Sequence, residues 1–228
     1  HVKIQVPVGE MGVQFYGRPK RKSTTPFTLV GLPDTQWYTS RRMGGSNSIF
    51  KAQTSWIVAN KDALNIAHTM QLGDCVQDGQ NGGDDIQWKR ADTAMSILED
   101  STTTHHHDGM SYTMCVGNHD QTPFTDPNGS TDFYNQYFGI NRFVGRYYWG
   151  GNYGNNADNN YQMFSASGMD FIVISLEYDA NANSSVLAWA DSLLKANSNR
   201  QGIIVAHYLI DLEGDFSPQG FATYNALK

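Results

Sequence analysis

Charge is scarce in this chain. Only 17% of its 228 residues are Asp, Glu, Lys or Arg, against about a quarter in an ordinary globular domain. Acids outnumber bases 22 to 16, for a formal charge of −6. That balance argues against a nucleic-acid partner, whose phosphates demand a basic face. Two cysteines are too few for a disulfide scaffold. No apolar run approaches the roughly 18–20 residues of a membrane-spanning helix, and no internal period marks a solenoid. There is no Gly-x-Ser-x-Gly, which argues against a serine esterase. What remains is 39% hydrophobic and 12% aromatic, too apolar for a disordered chain and long enough to bury a sizeable core. Polarity comes from Asn, Gln, Ser, Thr and Gly, beside many Tyr and Trp, a mix suggesting an extracellular or periplasmic protein. The chain opens at His1 without a leader-like segment, as expected if a signal was removed or the chain was excised from a longer one. The sequons at Asn128 and Asn183 are read as chance matches.

The first 25 residues read differently from the rest. Val2, Ile4 and Val6 alternate with polar residues as in a strand, and Arg18 to Thr25 form a basic stretch ending at Pro26. Residues 1–25 are therefore expected to be a strand and solvated linker, the tail of an upstream domain. From Phe27 strands and helices alternate. Strands are expected over 27–32, 64–72 and 110–116. Helices are expected over 48–60, with Ile49, Ala52, Trp56 and Ile57 on one face, and over 85–99, with Ala91, Ala94, Met95 and Leu98 on one face. This βαβαβ run implies a parallel sheet. The Gly-, Asn- and Tyr-rich stretch 121–160 shows little periodicity and is too long for an idle connector. Strands over 161–166 and 169–176, a helix over 184–197 and a strand over 202–206 complete an α/β chain.

The chemistry-bearing residues stand just past strands. Asp34 and Gln36 follow the first, Asp74 the second, Asn118 and His119 the third, and His207 the last. Open α/β sheets build their sites at such carboxyl ends. Each residue alone is ordinary, but four strand ends in phase are not. Oxygen and imidazole ligands suit Mn, Fe or Zn, and two such ions form the clamp used in phosphoryl hydrolysis.

Leu-Pro-Asp34-Thr-Gln36, Leu-Gly-Asp74-Cys-Val-Gln-Asp-Gly, Val-Gly-Asn118-His119-Asp120 and Val-Ala-His207-Tyr together resemble the calcineurin-like metallophosphoesterase family, from about residue 27 to the end. The resemblance implies that residues 26–228 form a metallophosphoesterase domain with two β-sheets sandwiched by helices, in four layers α/β/β/α. It implies two divalent or trivalent metal ions. Asp74 would bridge them, Asp34 and Gln36 would hold the first, and Asn118 and His207 the second. A metal-bridging hydroxide would attack a phosphomonoester or phosphodiester, and His119 would protonate the leaving oxygen. The partner implied is a small phosphorylated substrate, with a nucleotide favoured by the aromatic loop. The alternative is a non-catalytic carbohydrate- or ligand-binding module on a degenerate scaffold.

Three departures stand out. Gln36 occupies the place of a histidine, an Asp-Thr-Gln form that resembles one branch of that family. Gln77 occupies the place of an aspartate that would orient the catalytic histidine, leaving Asp78 or Asp120 as substitutes. The final Gly-His-x-His is absent; the expectation is truncation before it, and the rival reading is a metal-poor protein. His105-His106-His107 is read as a solvated loop, His68 as a packed strand residue, and Cys75 and Cys115 as buried thiols. The aromatics of Tyr147–Tyr153 either stack on a substrate or cap the core. Arg142 and Arg146 either meet a phosphate or are solvated.

Overall fold

The structure is a computed structural model and describes residues 25–228. The strand and linker expected before residue 25 lie outside the described residues. Among the described residues no helix is long and apolar enough to cross a membrane.

Fifteen named elements carry the chain. They are β1 (Thr28–Leu32), α1 (Gln36–Ser40), α2 (Asn47–Asn60), β2 (Ile66–Gln71), α3 (Ile86–Met95), α4 (Ser101–Thr104), β3 (Tyr112–Thr113), α5 (Asp132–Phe138), α6 (Ile140–Phe143), β4 (Trp149–Asn152), β5 (Asn160–Ala166), β6 (Met169–Leu176), α7 (Ser184–Ala196), β7 (Gln201–Ala206) and α8 (Pro218–Leu227). β1, β2 and β3 form one sheet in that order, parallel throughout. β4 to β7 form the second, antiparallel except between β6 and β7. The fold is thus mixed α/β, with two sheets and helices.

The core divides by strand alternation. Along β6, Phe171 and Val173 join Leu29, Met70 and Phe164 between the sheets, whereas Ile172, Ile174 and Leu176 meet Val186, Leu187 and Ala190 of α7. Side chains one residue apart leave a strand on opposite faces, so each strand serves two layers of core. A third cluster packs Phe50 and Ile57 of α2, Trp88 and Met95 of α3, and Tyr134 and Phe138 of α5 against Val76 and Val116.

The sheets also share a buried polar chain. His68, fully buried on β2, lies 2.8 Å from Ser111 Oγ and 2.7 Å from Thr113 Oγ1. Thr113 donates onward to Gln162 Oε1 at 2.5 Å, and Gln162 Nε2 to Asn160 Oδ1 at 2.7 Å. Burial drives the His68 pKa down to about 3, so the ring is neutral. The neutral ring donates from one nitrogen to a hydroxyl, and Ser111 Oγ also donates to the Ala67 carbonyl at 3.1 Å.

Several expectations need correcting. The buried residues of α2 are Phe50, Thr54, Ile57 and Val58, whereas Trp56 and Ile49 are exposed. The helix expected over 85–99 ends at Met95 and continues as a tight turn, Ser96–Glu99. The third strand pairs over Tyr112–Thr113 alone. The 121–160 stretch contains α5, α6 and β4. Its arginines do not stand free in solvent. Arg142 donates to Glu99 at 2.9 Å and Asp92 at 2.5 Å over the Phe138 ring, and Arg146 pairs with Glu99 at 2.9 Å. Cys75 and Cys115 are buried free thiols, as expected. Asn183 caps α7, its Oδ1 accepting from Ser185 N and Val186 N.

Candidate metal centre

Asp34 and Asp74 follow the ends of β1 and β2 in the left-handed backbone region, with φ of 41° and 51°. That region is costly for most residues and tolerated best by Asn, Asp and Gly. Strain of this kind concentrates at functional sites. Gly73, at φ 98°, precedes Asp74, and a Cβ there would lie 2.7 Å from His207 Cβ. A Cβ on Gly117 would overlap Asp74 N and Oδ1. Both glycines exist so that loops from separate strands can close on one carboxylate.

Asp34, Asp74 and His207 each offer a ligand atom, and the three atoms lie within 4.8 Å of one another. His207 Nδ1 donates to the Leu72 carbonyl at 3.0 Å, which fixes the ring and leaves Nε2 facing Asp74 Oδ2 at 3.4 Å. A backbone carbonyl behind a histidine in this way is the usual support of a metal-ligating ring. Nε2 and a carboxylate oxygen face to face require positive charge between them. Burial opposes a charge on His207, yet its hydrogen bond to Asp74 and the charges of Asp74 and Asp34 push its pKa up to about 9. Burial, the largest influence, together with the Asp74 charge raises the Asp34 pKa, against the pull of His207.

His119 and Asn118 follow β3. His119 N donates to Asp74 Oδ1 at 2.9 Å, which draws this loop onto the cluster. The His119 ring is oriented by neither Asp78 nor Asp120. Its Nδ1 lies 2.9 Å from both the carbonyl oxygen and Nε2 of Gln77. Donation to that carbonyl leaves ring Nε2 free to exchange a proton. Asp78 instead pairs with Arg42 at 2.9 Å and accepts from Gln87 Nε2. Asp120, fully enclosed, accepts from the backbone N–H groups of Cys75, Val76 and Gly117 and clamps two strand-end loops together. Burial and the neighbouring Asp74 carboxylate push its pKa up while those N–H donors hold it down.

Gln36 begins α1. It is buried, and its Oε1 has no hydrogen-bond partner among the described residues. Thr35 and Thr39 donate to the Cys75 carbonyl, tying α1 to the loop of Asp74. An unpaired buried acceptor costs roughly 1–3 kcal/mol, and a cation would satisfy it. The donor set therefore fits hard or borderline metal ions.

No family model matches the sequence. The chain is 33% identical over 194 residues to the "Uncharacterized protein YvnB" of Bacillus subtilis (strain 168). That match covers 85% of this chain and 14% of the relative.

The other sequence candidates lie elsewhere. The His107 side chain is 98% exposed and pairs with its neighbour Asp108. Tyr148 is buried in the core and Tyr153 lies against Trp189, whereas Tyr147 lies against His106 with 56% of the residue exposed. Two aromatics went unremarked in the sequence. Phe124 lies against His119, and Tyr178 lies 6.4 Å from the His207 ring. No periodicity or motif points to either: Phe124 falls in the 121–160 stretch, which has no face to read, and Tyr178 lies in the segment after β6.

Proposed function

We propose that the chain is the core of a calcineurin-like metallophosphoesterase and hydrolyses a small phosphate ester. The observation that carries this reading is the convergence of Asp34, Asp74 and His207, from three strand ends on two sheets, with the His119 loop bonded to Asp74. The core clusters on both faces of each sheet support the four-layer arrangement of that family.

Asp34, Asp74 and His207 would hold the metal, and the amide oxygens of Gln36 and Asn118 would complete a site for two ions of Mn, Fe or Zn. Bound ions would supply Lewis-acid neutralisation of the phosphoryl oxygens and an activated water. In hydrolysis water forms the new P–O bond, the ester P–O bond breaks, and the leaving oxygen takes a proton. His119 supplies that proton from Nε2, since Nδ1 is engaged by Gln77. Gln77 provides this orientation through its backbone carbonyl, where the family pattern would use an aspartate. Within the Tyr147–Tyr153 loop Tyr148 is buried in the core, so it is not offered to a carbohydrate in the alternative of a binding module.

The test is elemental analysis together with turnover. Protein purified without a metal-affinity step should carry close to two equivalents of metal and hydrolyse 4-nitrophenyl phosphate. Asp74→Asn should lose most of that metal and at least about a thousandfold in kcat/KM, a loss of some 4 kcal/mol in transition-state stabilisation. Turnover untouched by Asp74→Asn and by chelator would overturn the reading.

A further inference from the structure

The leaving oxygen of an ester departs beside whichever residue protonates it, so the surface next to His119 is the surface the leaving group meets. That surface is Phe124. Its ring centroid lies 4.3 Å from the His119 ring at an interplanar angle of 48°, and 54% of the residue remains exposed. It is not held there by apolar packing alone. Thr125 N donates to the Asn118 carbonyl at 3.1 Å, and Thr122 pairs with Ser130 through two backbone hydrogen bonds. The backbone on both sides of Phe124 is thus tied down, one tie running to the same loop that carries His119. A large apolar ring is presented to solvent at a fixed place, with its neighbour the proposed proton donor.

We propose that Phe124 is a stacking platform for the leaving group, which makes the substrate a phosphate ester whose leaving group carries a planar aromatic ring. This rests on the hydrolytic reading for its account of His119. Two sources share that chemistry, an aryl phosphate with its ring on the ester oxygen and a nucleotide with its base one ribose away. Ring pairs prefer offset or edge-to-face contacts with centroids roughly 4.5–7 Å apart, and such a contact contributes about 0.5–1.5 kcal/mol beyond its buried area.

The experiment compares wild type with Phe124→Ala, Phe124→Leu and Phe124→Trp on phenyl phosphate, a nucleoside 5′-monophosphate and glycerol phosphate. In Phe124→Ala the preference for the ring-bearing ester over glycerol phosphate, as a ratio of kcat/KM, should fall about tenfold, the upper range of one stacking contact. The fall should appear in KM. Leu should not restore the preference and Trp should. A fall confined to phenyl phosphate identifies an aryl ester, and one confined to the nucleotide identifies a nucleobase. An equal loss on all three esters, carried in kcat, would make Phe124 merely a support for His119 and overturn the platform. The non-hydrolysable phenylphosphonate and methylphosphonate separate this proposal from the hydrolytic reading. Calorimetric titration should show wild type binding the phenyl compound more tightly and Phe124→Ala losing that difference, even if no ester is turned over. Equal affinities in wild type would overturn the platform. Absence of turnover on every ester would overturn only the hydrolysis.

Discussion

His68 and His207 lie at two levels of the sandwich, one within a strand of the first sheet and the other just past a strand of the second. His68 stands in the middle of β2, and His207 leans on the carbonyl of Leu72, just past that strand's end. Both rings are shielded from water, yet their pKa values move in opposite directions, down to about 3 and up to about 9. Inside the sandwich the partners are hydroxyls, which suit a neutral ring, and desolvation alone decides. At the rim the partners are Asp74 and Asp34, and their charge overrides the same desolvation. The interior expels charge, whereas the rim favours a positive one, and the rim is where, among the described residues, the candidate metal ligands gather.

That contrast can be broken most severely from the rim. Gly117→Ala places a methyl group on Asp74 N and Oδ1. The loops can yield only by moving the carboxylate. The expected cost is about 3 kcal/mol, the upper range for overpacking, accompanied by loss of metal. Unchanged metal content with an unchanged melting temperature would show that the rim is not built around Asp74.

The interior is broken by His68→Leu, which removes the link between Ser111 and Thr113. Losing the hydrogen bonds to the buried ring should cost about 2 kcal/mol at pH 7, with metal content retained. The same variant sharpens the comparison by pH. The folded His68 pKa lies below the ordinary value of 6.5, so between these values the unfolded chain binds a proton that the folded chain refuses. The stability is present in full above pH 6.5 and is lost as pH falls toward 3. Its slope is about 1.4 kcal/mol per pH unit. Urea midpoints at pH 7 and pH 5 should therefore fall more steeply for wild type than for His68→Leu, and parallel slopes would contradict the assignment. The smallest effect belongs to His107, outside both regions. His107→Ala should shift stability by no more than about 0.5 kcal/mol and leave metal content unaltered. A loss of metal would mean that the histidine tract competes with the rim.

How much of this was legible depended on where along a strand or helix a residue lies. The strand-end placement of Asp34, Asp74, His119 and His207 was readable because short apolar runs ending in Gly or Pro mark both a strand and its exit. The inner face of α3 was readable as well, since Ala91, Ala94, Met95 and Leu98 leave one clear stripe and all four are buried. The face of α2 misled because Trp56 and Ile49 carry apolar bulk outward while Thr54 turns inward. α1, with five residues, is shorter than two turns and shows no period. Within 121–160 the elements are held by long-range partners such as Arg142 with Glu99 and Asp92, and such pairs leave no local pattern.

The sequence by itself determined an α/β chain, the types of candidate ligand at its strand ends and the excess of acids over bases. These are properties of local period and composition. Only the tertiary structure decided that Asp34, Asp74 and His207 meet within 4.8 Å, that Gln77 rather than an aspartate holds His119, and that Phe124 rather than the tyrosine loop stands beside it. The first two pairings close gaps of many residues between separate strand ends, and the third depends on a loop that folds back on itself. Distance along the chain carries no information about them until both sheets are packed.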